Sequence, residues 1–162
     1  MTASRANAAV LPAPAPTPAP AVRRTLLSAL TAPLIYSLLV PIALLDLWVT
    51  LYQQICFRVY GVPRVRRADY LRLDRHRLPY LDAVGKLNCV YCGYANGVIA
   101  YAREVASRSE QYWCPIKHGD APAGVHHRYA VFAEFGDGAG YDARAERLRE
   151  ALRTGRSGRP PD

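Results

Sequence analysis

The sequence lacks the local motifs that place a nucleophile, a general base or a nucleotide phosphate. It has no Gly-x-Ser-x-Gly elbow, no His-Glu-x-x-His helix and no Gly-Lys-Ser/Thr phosphate loop. The glycine-rich stretch 136–140 lacks that lysine and a preceding apolar strand, so it predicts a flexible turn. The sequence therefore gives no argument for an enzyme and identifies no small-molecule substrate.

Charge is almost absent from Thr25 to Phe57, where Asp46 is the single charged residue among 33 positions. A run of this length exceeds the core of a signal peptide and is too apolar for an ordinary soluble helix. Arg23 and Arg24 precede it, as in a twin-arginine export signal, but the length of the run and the lack of a cleavage site argue against export. We therefore predict a membrane anchor over residues 23–57.

The apolar run is longer than one perpendicular span requires. As a straight helix it would reach about 50 Å, against a hydrocarbon core of about 30 Å. Pro33 and Pro41 can each kink a helix. We favour a single span of about 20 to 25 residues, centred near 38–47, and a shallow re-entrant hairpin at the prolines is the alternative. Asp46 is either functional at depth or hydrogen-bonded near the interface.

Positive charge follows the apolar run. The chain has a net charge of +8, and residues 58–86 hold eight basic side chains against three acidic ones. Such a cluster is retained on the cytoplasmic side and attracts anionic head groups. Tyrosines among the arginines are typical of an interfacial belt, so we expect no nucleic-acid partner. These features predict an inner-membrane protein with a cytoplasmic C-terminal domain.

Four metal-ligand residue types follow in the pattern C-x2-C-x21-C-x3-H. They are Cys89, Cys92, Cys114 and His118. Three thiolates and one imidazole form a common tetrahedral zinc site, and these ligands alone do not separate zinc from iron. Cys56, at the membrane edge, is better explained by packing than by palmitoylation. His126 and His127 either extend the site or lie in a polar surface turn.

Two short fragments resemble known sequences. CVYCGY at residues 89–94 and WCPIKHG at 113–119 resemble the cysteine knuckles of rubredoxin-like iron proteins, although a histidine takes the fourth place. The chain also resembles a group of uncharacterised bacterial membrane-associated proteins with NCVYCGYANG and EQYWCPIKH type motifs, and this resemblance implies no activity. It implies that residues 58–119 act as one unit.

Apolar and small residues recur at helical spacing from Leu78 to Tyr112. One straight helix would hold Cys92 and Cys114 about 30 Å apart, so a shared metal requires a break near 93–97 or 107–109. Without a break, the cysteines are packing residues. A second stripe predicts a terminal helix over 141–153.

The expected fold is mostly α, with one kinked transmembrane or re-entrant helix and a small helical cytoplasmic domain. We divide the chain into a disordered tail, an anchor, a basic connector, a helical domain and a second loose tail, at 1–22, 23–57, 58–80, 81–153 and 154–162. One hypothesis is a zinc- or iron-binding accessory module of a membrane complex. The alternative is a non-catalytic scaffold whose small-residue helix faces pack against another membrane protein, through Gly85, Ala95 and Ala102.

Overall fold

The computed structural model describes residues 19–156, with side chains from residue 27 onward. This part of the chain is mostly helical, as predicted, and contains no strand beyond one isolated bridge between Ile116 and Ala133. It belongs to two compact units, Met1–Ser37 and Leu38–Asp162. Its α-helices are α1 (Ala19–Ser37), α2 (Leu39–Tyr52), α3 (Ala83–Trp113) and α4 (Tyr141–Arg153).

The predicted tails fall largely outside the described residues. α1 begins at Ala19, inside the predicted tail 1–22, and the second predicted tail is described only as far as Arg156. By length and composition, the helical stretch Leu27–Tyr60 could cross a membrane, with a mean hydropathy of 2.1. Because 6% of its apolar window is buried, this stretch does not resemble the enclosed core helix of a soluble protein.

The apolar run is interrupted at Leu38, between α1 and α2. Pro41 accounts for the interruption, because it has no N–H to donate to the carbonyl of Ser37 and its ring crowds that carbonyl. α2 then continues into a π-helical turn, Gln53–Phe57, that widens the helix by one residue. Both Gln53 and Phe57 are buried in this turn.

The basic connector folds back along α2 instead of leading away from it. It is irregular, with 3₁₀ turns at Arg67–Asp69 and Arg75–Arg77. The main chain of Val65 contacts Gln53. Arg67 contacts Asp46, which lies about two helical turns before Gln53. The connector therefore returns the chain to the level of Asp46, which lies beside Tyr94, eleven residues after the start of α3.

α2 and α3 consequently run parallel. Tyr94 contacts Asp46, Tyr101 contacts Gln53, and Tyr112 packs on Tyr60, so the contacts advance together along both helices. The core lies between them and is closed by the connector and α4. It consists of Phe57, Val62, Val65, Tyr101, Val105 and Leu152.

Two glycines of α3 allow the connector to approach closely. A Cβ atom at Gly97 would lie 2.9 Å from the carbonyl oxygen of Tyr70 and 3.2 Å from Cα of Leu71. At Gly93 it would lie 3.3 Å from the carbonyl oxygen of Arg72. These glycines are therefore packing positions in a continuous helix, although glycine inside a helical pattern also suggests a break.

α4 spans Tyr141–Arg153 and confirms the predicted terminal helix. Its apolar stripe points inward, with Ala145 and Leu152 fully buried. Side chains also tie α4 to α3, since Gln111 donates to the Leu148 carbonyl at 2.8 Å and Arg149 donates to the Tyr112 carbonyl at 2.9 Å. These bonds fix the end of α3 against α4.

Candidate functional site

The four predicted metal ligands lie along and beyond α3. Cys89 is half-buried and Cys92 exposed within the helix, Cys114 is exposed just after its last residue, and His118 is exposed in the following loop. The 22 residues of continuous helix from Cys92 to Cys114 rise by about 33 Å. Donor atoms on one tetrahedral zinc are about 4 Å apart, so these four side chains do not fit one site within this chain.

The helix breaks that a shared metal would require are absent from α3, and the side chains there explain why. Ser107 donates to the carbonyl of Glu104 at 2.8 Å, and Ser109 donates to the carbonyl of Val105 at 3.1 Å. Both hydroxyls therefore bond within the helix and do not end it. Among residues 19–156, no group of three or more His, Cys, Asp or Glu side chains is placed to hold a metal ion.

The imidazoles of His118 and His126 have local partners. His118 packs on the ring of Tyr129, whose hydroxyl accepts a hydrogen bond from the His118 main chain at 2.7 Å. His126 Nε2 lies 2.8 Å from a carboxylate oxygen of Glu110. All four cysteines are free thiols.

Asp46 is the best-defined polar site on the apolar helix. Arg67 donates to both carboxylate oxygens, from Nε at 2.8 Å and from Nη2 at 2.5 Å, and the Tyr94 hydroxyl donates at 3.0 Å. Asp46 is therefore hydrogen-bonded, as one of the two alternatives considered from the sequence proposed. Since the three residues come from α2, the connector and α3, the Asp46 site joins all three segments.

A second polar site lies at Gln53, seven residues or about two helical turns after Asp46 and on the same face of the helix. The amide of Gln53 donates to the Val65 carbonyl at 3.2 Å and to the Tyr101 hydroxyl, and its carbonyl accepts from the Val65 N–H at 3.0 Å. Tyr101 is fully buried, and its hydroxyl also lies 3.3 Å from Thr50 Oγ1. The side-chain amide of Gln53 therefore pairs with the backbone of Val65 as a neighbouring β-strand would.

The third site, the Glu104 cluster, consists of Glu104, Ser107, Arg108 and Arg128. Arg128 is 5% exposed and holds both carboxylate oxygens of Glu104, at 2.9 and 3.0 Å. Arg108 donates to the same carboxylate at 2.9 Å and to the Pro63 carbonyl at 2.7 Å. Burial raises the pKa of Glu104, but the hydrogen bonds from Arg128 and Arg108 lower it by more. The cluster therefore holds an ionised carboxylate.

His127 borders this cluster. Burial, and then the positive charge of Arg128, lower the pKa of its imidazole below the usual 6.5. Arg128 Nη1 donates to His127 Nε2 at 2.9 Å, an arrangement that requires the neutral ring. His127 is thus neutral near pH 7.

The sequence analysis missed most of these residues, although one signal was present. Asp46, Thr50 and Gln53 are spaced by four and three residues, so they share one face of the apolar helix. A polar stripe of this kind indicates that the face packs against protein. Nothing in the local sequence indicated that Arg128 would meet Glu104, because their pairing depends on a loop that returns to α3.

Ala95, which the alternative scaffold hypothesis placed against a partner protein, is instead buried within the chain's own fold. Gly85 and Ala102 are half-buried. The small-residue face is therefore largely used within the fold.

Comparison of the chain with protein-family models, with curated proteins and with solved structures found no match.

Proposed function

We propose that the protein is a non-catalytic, membrane-anchored scaffold whose span ends at Asp46. The observation that carries this proposal is the Asp46 site, where Arg67 and Tyr94 meet the apolar helix. From this residue onward, one face of the helix is covered by a charged connector and by α3. A bilayer cannot surround the helix there, because ionised arginines such as Arg66, with 81% of its side chain exposed, require water or head groups.

The remaining uncharged run has the length of one span. Residues 25–45 comprise 21 positions without a charge, and in helical form they reach about 32 Å, close to a hydrocarbon core of about 30 Å. Arg23 and Arg24 flank the other end. The proposed span, residues 25–45, therefore lies nearer the N-terminus than the span centred near 38–47 that we favoured from the sequence. The larger basic cluster favours the cytoplasm for the domain.

We propose a scaffold because buried polar side chains hold segments of the chain together, while large apolar side chains remain exposed on its surface. The Gln53 and Glu104 side chains bind segments of the chain to one another, which is a structural use. Beyond Asp46, α2 and the turn that follows still expose large apolar side chains, at Leu47, Trp48, Leu51 and Ile55. Outside the bilayer such a stripe favours contact with another membrane protein.

Cysteine labelling in membranes tests the anchor. Leu34→Cys and Val59→Cys are introduced separately into a chain whose native cysteines are serine, because these leucine and valine side chains are 74% and 71% exposed. A membrane-impermeant maleimide applied to inverted inner-membrane vesicles should label position 59 and leave position 34 unlabelled. Equal labelling, or protection of both positions, contradicts a span that ends at Asp46.

A photo-crosslinking amino acid at position 51 tests the scaffold separately. It should give one discrete adduct with a membrane protein, whereas the same amino acid at the exposed position 147 of α4 should give none. If neither position gives a discrete adduct, the scaffold function is wrong while the anchor stands.

A further inference from the structure

Two neighbouring hollows lie along the exposed side of α3. The larger, about 620 Å³, is bordered by Arg103, Glu104 and the loop at Val125–His127. The smaller, about 330 Å³, is bordered by Arg72, Arg75 and Gly93. Both include Tyr70 and Asn96, so they form one continuous feature, the α3 groove. It follows the helix from Gly93 to Glu104, a rise of about 16 Å.

The α3 groove carries an excess of positive charge. Within the described part of the chain, Arg72, Arg75 and Arg103 form no ion pair with a carboxylate. Of the two acidic residues in the lining, Glu104 is already neutralised by Arg128 and Arg108. Asp74 therefore remains against three arginines.

The arginines have donors to spare. Arg103 donates from one nitrogen to the Gly124 carbonyl at 2.5 Å, and a guanidinium has five N–H groups. Arg75 lies over Gly93, with Nη2 3.6 Å from the place where a Cβ atom would be. The Arg75 guanidinium therefore lies against the helix surface at Gly93. Planar guanidinium groups suit the paired oxygens of a phosphate, and the Asn96 amide and Tyr70 hydroxyl add neutral hydrogen-bonding groups.

We propose that the α3 groove binds a phosphate-bearing ligand whose phosphate lies at Arg72 and Arg75, while Arg103, about 15 Å further along α3 from Gly93, adds positive charge at the other end of the groove. Its lower end lies beside Tyr94, which bonds Asp46, so that end opens at the level where the proposed span leaves the bilayer. This placement, which rests on the proposed function, favours the head group of an anionic phospholipid. A soluble phosphate compound shares the same chemistry.

Binding is measured on the full chain in a neutral detergent, with dioctanoyl phosphatidic acid and inorganic phosphate as separate probes. The lipid should bind saturably at about 0.15 M salt, where diffuse attraction between exposed charges is screened. The variant R72Q/R75Q/R103Q should bind it at least tenfold more weakly. The control variant R66Q/R147Q/R156Q removes the same charge from exposed positions elsewhere and should bind like wild type.

The outcomes separate the two sources of phosphate. If inorganic phosphate binds as tightly as the lipid, and the groove variant loses both, the ligand is a soluble phosphate compound. If the groove and control variants lose affinity equally, or if neither probe binds wild type, the proposal is overturned. The single change Arg75→Gln, at an exposed side chain, should weaken binding severalfold without altering the circular dichroism spectrum, and Arg75→Lys should restore it only in part. Labelling at positions 34 and 59 is read independently, so a failed groove does not count against the anchor.

Discussion

Replacing Glu104 by Gln should destabilise the unit Leu38–Asp162 more than neutralising an exposed carboxylate of the same unit. The variant keeps the side chain's volume but removes the negative charge that Arg128 contacts at 2.9 and 3.0 Å. Arg128 is 5% exposed, so its charge would be left buried without a counter-ion. Breaking such a pair costs about 3 to 5 kcal/mol, and the partly exposed Arg108 places the expected loss near the lower figure.

The measurement is thermal and urea unfolding of the full chain in detergent. Trp113 provides the fluorescence signal, because it packs on Tyr60 at 4.9 Å between ring centroids and this contact is lost on unfolding. A loss of about 3 kcal/mol corresponds to a fall in Tm of roughly 10 °C. The matched control is Glu146→Gln, whose carboxylate pairs with arginines on α4 but is 61% exposed, and it should change stability by less than about 1 kcal/mol.

The pH dependence gives a second signature. The pKa of Glu104 is lower in the folded chain than its ordinary value of 4.5. The carboxylate's contribution to stability is therefore fully present above the ordinary value and is lost as the pH falls through the lower, folded value. The difference between wild type and Glu104→Gln should shrink over this acidic range. Equal stability of the Glu104→Gln and Glu146→Gln variants at neutral pH would refute the reasoning.

Three further predictions concern packing, hydrogen bonding and metal content. Gly97→Ala should lower the unfolding free energy by about 1 to 3 kcal/mol, because its Cβ would lie 2.9 Å from the Tyr70 carbonyl, whereas Gly138→Ala, with open space around it, should have little effect. Tyr101→Phe should cost about 1 to 2 kcal/mol, since it leaves the buried Gln53 amide without one acceptor, and the 77% exposed Tyr80→Phe is its control; equal unfolding curves contradict the hydrogen bond. Elemental analysis of purified protein should find well under one zinc or iron per chain, because α3 separates the cysteines; a stoichiometric metal that is lost on substitution of both Cys92 and Cys114 would revive the metal-site hypothesis.

The sequence was sufficient for the elements whose signals are local. The terminal helix agrees with its prediction over 141–153, because a period of 3.6 residues in apolar side chains reports a helix packed on one face. The apolar run, its proline interruption and the helical character of α3 could likewise be predicted, since each follows from neighbouring residues. The hydrogen-bonded state of Asp46 followed from the cost of leaving a carboxylate unpaired in apolar surroundings.

Only the tertiary structure shows which contacts the connector makes when it folds back along α2 and α3. Glycine at positions 93 and 97 suggested a break in α3, and only the fold reveals that the connector's backbone occupies the space those residues leave. The same return brings Arg67 to Asp46 and Val65 to Gln53, over separations of 21 and 12 residues. Periodicity carries no information about such distant pairs. Whether the cysteines could converge depended on the path of the whole chain, and the sequence by itself determined only that they were present.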